Sequence, residues 1–429
     1  MKKKYRIILY TSIFLLCVVA SIILVVKKSN SVYEEESKPK VVKHKSMLSM
    51  NLEQTAGAGD YKTVTQSKWP TEGYKFNAEL SRCENGSTLS WDDTKKAVIV
   101  SGNLSDKCYV YFDIYQPTLA EYIKSQYTGT QGENNIYYHD SDLANGAGDN
   151  SYRYAGANPN NFVCFGSDTS PCPTDNLYRI IGVFGENYHG VTGKQLVKLI
   201  KYDYMTTDEL GTDGDYSQTY KEWGMDSTYK GTYGDGERIG VYYWNYKATG
   251  SSTNTWSTSL LNKTNLNTNF INNIGTTWAN KIATVTWKVG GNTYANISDV
   301  VPATTYQNEI VNPVTTNTTD NATTYSAKIG LMYVSDYGFA ASPDAWTLTM
   351  SSYNNTTAKN NNWMYMGLYE WTISRRADRS DRAFSVGSDG NVRGNGVNHS
   401  NGVRASFSLE SSVSYVSGSG SMSDPIVIN

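Results

Sequence analysis

Between Ser374 and Ser400 the chain crowds together side chains suited to holding a ligand: Arg375, Arg376, Asp378, Arg379, Asp381, Arg382, Asn391, Arg393, Asn395, Asn398 and His399. Gly387, Gly390, Gly394 and Gly396 interrupt regular structure there, which places many of these groups on loops. Tyr, Ser, Gly, Asn and Arg in combination make an adaptable recognition surface, as antibody loops do. Two plainer readings compete: Arg–Asp pairs that only brace the loops, and a chain-wide enrichment in Asn, Lys and Tyr. Two aromatic clusters, Tyr242-Tyr243-Trp244 and Trp363-Met364-Tyr365-Met366, could stack on sugars. Aromatics also fill the cores of loop-rich folds, so the core reading stands beside it.

Catalytic chemistry needs other constellations. A glycosidase requires two facing carboxylates about 5–9 Å apart, and Glu370 with Asp336 or Asp378 is the best pair on offer. The plainer reading is that each caps a turn or pairs with an arginine. The four histidines, His44, His139, His189 and His399, are scattered, which gives little support to three-ligand metal catalysis. Asp213-Gly214-Asp215 hints at calcium, but the twelve-residue calcium-loop pattern fails at its sixth and twelfth positions. No catalytic residue, metal site or cofactor is therefore assigned, and calcium is left open.

Composition bounds the class. Aromatics make up 13% of the 429 residues and charged groups only 18%, so the chain should fold rather than stay disordered. Six of its 38 Lys and Arg flank the first hydrophobic segment, leaving 32 against 40 Asp and Glu beyond Lys28. An acidic remainder is a poor partner for nucleic acid, whose phosphates require a cationic footprint.

That hydrophobic segment, residues 7–26, has no charge, Pro or Gly. About 20 apolar residues in helix span a bilayer core, and Lys27-Lys28 directly follow, so a retained single-pass anchor is expected. Lys and Arg flank both ends and do not set the orientation. Long domains translocate largely regardless of flanking charge, and Cys83, Cys108, Cys164 and Cys172 suit an oxidising compartment. The expected localisation is the cell membrane, with the C-terminal domain extracellular. Pairing Cys83 with Cys108 and Cys164 with Cys172 is the simplest of three connectivities.

The elements that must position these groups read as a cytoplasmic tail (1–6), the anchor (7–26) and a polar stalk (27–66). A small β module with one disulfide (67–116) follows, with β-prone runs at 74–76, 88–91, 97–100 and 108–112. Residues 117–175 hold a connector helix near 118–126 and a disulfide loop. The large domain, 176–429, reads as strands near 176–185, 195–202, 282–289, 327–334 and 403–409, with an amphipathic helix over 260–274.

The ordered segments NLYRIIGVFG, LVKLIKYD, WSTSLLNKTNLNTNFI and AKIGLMYVSDYG, then the stretch from Trp363 to Glu410, resemble bacterial surface proteins of the C-type-lectin-like fold. The likeness is to the branch related to formylglycine-generating enzymes and variable receptor proteins, in low-GC Gram-positive bacteria. Trp371, Asp389-Gly390-Asn391-Val392 and Gly402-Val403-Arg404 occupy the motif positions, with Ala405 where the family usually has proline. The resemblance implies that Trp371, Gly390, Gly402 and Arg404 are framework residues and that the C-terminal segment forms the ligand face. The oxidase relatives need a reactive cysteine pair, and no cysteine follows Cys172. The expected fold is α+β: a transmembrane helix, a small β-sandwich-like module and a loop-rich C-type-lectin-like domain. The expected function is a membrane-anchored adhesin or receptor-like protein that binds a glycan or protein through C-terminal loops. The alternatives are a surface hydrolase with a carboxylate pair and a structural component of a cell-surface assembly.

Overall fold

A computed structural model describes residues 48–65, 68–70, 73–224, 228–231, 238–314 and 322–429. The chain divides into two units, Met1–Tyr115 and Gln116–Asn429.

In the first unit, the Cys108–Ile114 strand is the hub of a five-stranded sheet. It pairs in parallel with Leu48–Glu53 and antiparallel with Tyr74–Phe76 and Arg82–Cys83, while Tyr61–Val64 extends the far edge. A separate hairpin joins Thr88–Asp92 to Ala97–Ser101. Phe112 is fully buried, with the rings of Trp69, Phe76 and Trp91 around it. A core this small gains from the Cys83–Cys108 disulfide, which ties the hub to its neighbouring strand. Residues 48–64, expected in the stalk, are therefore part of this sheet. Leu48, Met50 and Leu52 alternate with polar residues, the two-residue period of a strand; Met50 and Leu52 are in the core, and Asn51 and Glu53 are buried too.

The second unit is built on a seven-stranded sheet. Its order is Ile329–Gly330, Ser406–Ser408, Leu196–Lys201, Leu177–Phe184, Ser151–Tyr154 and Ile136–His139, with Phe162–Cys164 also on Leu177–Phe184. The two central strands are buried at every position, which explains their near-continuous apolar runs. A side chain at Gly182 would collide with the Tyr152 carbonyl, its Cβ at 2.3 Å, and the ladder slips register there. The Leu119–Ser125 helix starts on a capping box formed by Thr118 and Glu121, as its sequence position implies. A second disulfide joins Cys164 and Cys172.

A four-stranded sheet carries the C-terminal loops, in the order Gly291–Asn292, Glu370–Arg376, Arg382–Val386 and Val392–Gly396. Trp244, Trp256, Trp346 and Trp371 are buried to 1% exposure or less.

Three expectations are corrected. Among the described residues the protein is sheet-rich with few helices, 32% strand against 20% helix, rather than the expected α+β. For the single-pass membrane localisation, the finding is that among the described residues no helix is long and apolar enough to cross a membrane. The expected anchor, 7–26, lies outside the described residues. Finally, the strand expected over 327–334 ends at Gly330, and Val334–Ala340 is a helix. The Asp336 carboxylate accepts the Tyr333 N–H at 3.0 Å and caps that helix, an N-terminal signal that the apolar run obscured.

Candidate functional site

The Arg- and Asp-rich stretch is divided by the fold into a braced loop and an open pocket. Its first member, Arg375, is not on a ligand face. It lies on the Glu370–Arg376 strand at 1% exposure, and its Nε donates to the Val289 carbonyl at 2.6 Å. Burial pushes its guanidinium down to about 10.

The next residues form two closed ion pairs. Arg376 binds Asp378 through Nε and Nη2, at 2.9 and 2.5 Å, and Arg379 binds Asp381 in the same way at 3.0 and 2.9 Å. The paired arginines hold the carboxyls of Asp378 and Asp381 below their usual range. Beneath them Asn254, fully buried, places its Nδ2 within 2.8 Å of the carbonyls of Arg376, Arg379 and Arg382. Arg382 itself donates to the Gly394 carbonyl. One buried amide thus gathers the whole loop. Its partners lie more than 120 residues away in sequence, so no local pattern could reveal it.

Arg393, Asn395, Asn398 and His399 instead line a pocket of about 410 Å³. Tyr220, Trp223, Tyr369, Ser400 and Asn401 complete it. The Val392–Gly396 strand supplies Arg393 and Asn395, and Asn398 and His399 are exposed just beyond it. Ser400 and Asn401 pair with Tyr243 and Tyr242. Trp223 sits on a hairpin opposite Ile239 and packs on the cluster containing Tyr204 and Leu368. Tyr220 is 63% exposed. Arg393 is held by its neighbours: Nη2 reaches both oxygens of Asp389 at 2.8 Å, Nε reaches Asn391 at 2.7 Å, and Nη1 donates to the Tyr369 hydroxyl at 3.2 Å. Asn391 therefore orients Arg393 rather than lining the pocket.

Among the described residues, two sealed side-chain atoms of the pocket's residues lack hydrogen-bond partners. Asn401 is 3% exposed and Ser400 7%, yet Asn401 Nδ2 and Ser400 Oγ make no hydrogen bond. Buried polar groups are nearly always satisfied, and an orphan costs about 1–3 kcal/mol. Sequence reading reached Arg393, Asn395, Asn398 and His399 but missed the other five. Tyr369 was signalled only by its nearness to Trp371. Tyr220 and Trp223 sit in a Tyr-rich run with no period to mark them.

The framework residues implied by the resemblance are packed. Trp371 is fully buried, with Nε1 donating to the Tyr242 carbonyl at 2.9 Å. Gly390 has φ +92 and sits against the Tyr353 carbonyl, and a Cβ on Gly402 would meet the Tyr204 ring at 2.9 Å. Arg404 pairs with Glu370.

The nominated carboxylates are each held by a cation. Glu370 is locked to Arg404, Asp336 to Lys198 at 2.6 Å, and Asp378 to Arg376. Asp215 accepts the N–H groups of Leu260 and Leu261, and burial raises its carboxyl. Among the described residues, no group of three His, Cys, Asp or Glu could hold a metal. His139 is buried and its imidazole is pushed well down by that burial, His189 is buried, and His44 lies outside the described residues. The clusters Tyr242–Trp244 and Trp363–Met366 are core, with only Tyr243 half-buried. Compared with family models, curated proteins and solved structures, the chain matches none.

Proposed function

We propose that this chain is a ligand-binding protein of the adhesin or receptor type, which captures a glycan or a protein through its C-terminal loops without transforming it. The pocket, lined by aromatic rings and side-chain amides, is the observation that carries this reading. Pockets of a few hundred Å³ that combine aromatic faces with a few polar groups are the usual form of a binding site. The carboxylates that hydrolysis would use are instead neutralised by Arg404, Lys198 and Arg376. The two disulfides are consistent with an extracellular protein. The likeness to bacterial surface proteins with a C-type-lectin-like domain belongs to this proposal, supported by the burial of Trp371 and Arg404 at its motif positions.

The test is an array of glycans and proteins probed with the full chain and with its Tyr220→Ala, Asn398→Ala double variant. Specific binding that the double variant loses, without turnover of the ligand, supports the reading. Binding by neither form contradicts it and favours a structural role.

A further inference from the structure

The composition of the pocket narrows its ligand, an argument that rests on the reading of the pocket as a binding site. We infer that it takes a neutral pyranose, alone or at the end of a glycan, and holds it without a metal ion.

The arginine at the pocket is already engaged. Arg393 has both Asp389 oxygens, Asn391 and Tyr369 as partners, so an acidic sugar would have to displace Asp389 to claim it. No carboxylate lines the pocket among the described residues, which leaves a hard cation such as calcium without its preferred oxygen ligands. Among the remaining polar groups amides predominate, those of Asn395, Asn398 and Asn401, beside the His399 imidazole, the Ser400 hydroxyl and the phenols. Amides both donate and accept, as vicinal sugar hydroxyls do.

Tyr220 and Trp223 offer flat faces to the C–H side of a sugar ring. A cavity of about 410 Å³ is at the small end of ligand pockets, a size for one or two rings rather than a protein surface.

The full chain would be titrated with methyl glycosides of glucose, galactose, mannose and N-acetylglucosamine, and with methyl glucuronide and a methyl sialoside. Each titration would be run with and without EDTA and followed by tryptophan fluorescence and calorimetry. At least one neutral glycoside should bind saturably and insensitively to EDTA. Tyr220→Ala should weaken it about tenfold at an unchanged melting temperature. Binding of the acidic glycosides alone, or binding abolished by EDTA, overturns the neutral-sugar inference and leaves the binding reading standing. Capture of only protein ligands, weakened by Tyr220→Ala, has the same meaning. If no sugar and no protein binds in a way that Tyr220→Ala weakens, both fail.

Discussion

Arg404 grips Glu370 with two parallel hydrogen bonds, Nε to Oε1 at 2.8 Å and Nη2 to Oε2 at 2.9 Å, and both side chains are sealed from solvent. Glu370 follows Tyr369 of the pocket, and the Glu370 backbone bridges Gly402, next to Asn401. The ion pair therefore fastens one wall of the pocket to another from below. Burial raises the Glu370 carboxyl, and Arg404 opposes that by holding it charged.

Arg404→Ala would strand a buried carboxylate and should cost about 3–5 kcal/mol. Thermal melting with matched urea denaturation would show it. Arg404→Lys should recover only part of the loss, because an ammonium cannot reproduce the two-pronged contact.

Trp371→Ala should cost a further set of contacts, about 3–5 kcal/mol for a buried tryptophan. Arg379→Ala, by contrast, removes one half of an exposed ion pair and should leave the melting temperature unchanged. Equal effects of the two substitutions would mean that the loop, not the sheet, stabilises the unit.

The two strongest sequence signals, the apolar strands of the large sheet and the paired cysteines, are local and were legible. Leu177–Phe184 and Leu196–Lys201 announce themselves because burial on both faces demands continuous apolar runs. The first strand was missed because Leu48, Met50 and Leu52 sit in an otherwise polar segment. The Arg–Asp stretch stands out in the sequence, but its division does not. Its division depends on Asn254 and on Tyr220, side chains far away in sequence. The α+β expectation gave helices more weight than they carry, since among the described residues strand exceeds helix, 32% against 20%.

Glu309 gives stability a pH dependence. It is 2% exposed, accepts the N–H groups of Val334 and Ser335 and the Ser374 hydroxyl, and burial pushes it up to about 7. An acid whose folded pKa lies above its unfolded one favours folding when protonated, so this contribution is present at low pH. It is lost as pH rises from about 4.5 to 7, an effect on the order of 3 kcal/mol. Buried His139 runs the other way over part of that range, so the comparison is with Glu309→Gln. Denaturation at pH 5 and pH 7.5 should show a decline in the wild type relative to the variant. Parallel curves would contradict it.

Replacing Cys83 and Cys108 by alanine opens a loop of 25 residues and should cost about 3 kcal/mol by chain entropy. The eight-residue Cys164–Cys172 loop should cost less, about 2 kcal/mol on the same basis. Chemical denaturation of the two variants gives the order.

The most direct test asks which part of the C-terminal stretch meets the ligand, the pocket or the braced loop. The dissociation constant for the best array ligand would be measured with Tyr220→Ala and Asn398→Ala on one side, and Arg376→Ala and Arg379→Ala on the other. The pocket account predicts about tenfold weaker binding for the first two at unchanged melting temperature, and no change in affinity for the arginine variants. Weakened binding in the arginine variants, with Tyr220→Ala and Asn398→Ala binding as the wild type does, would contradict it.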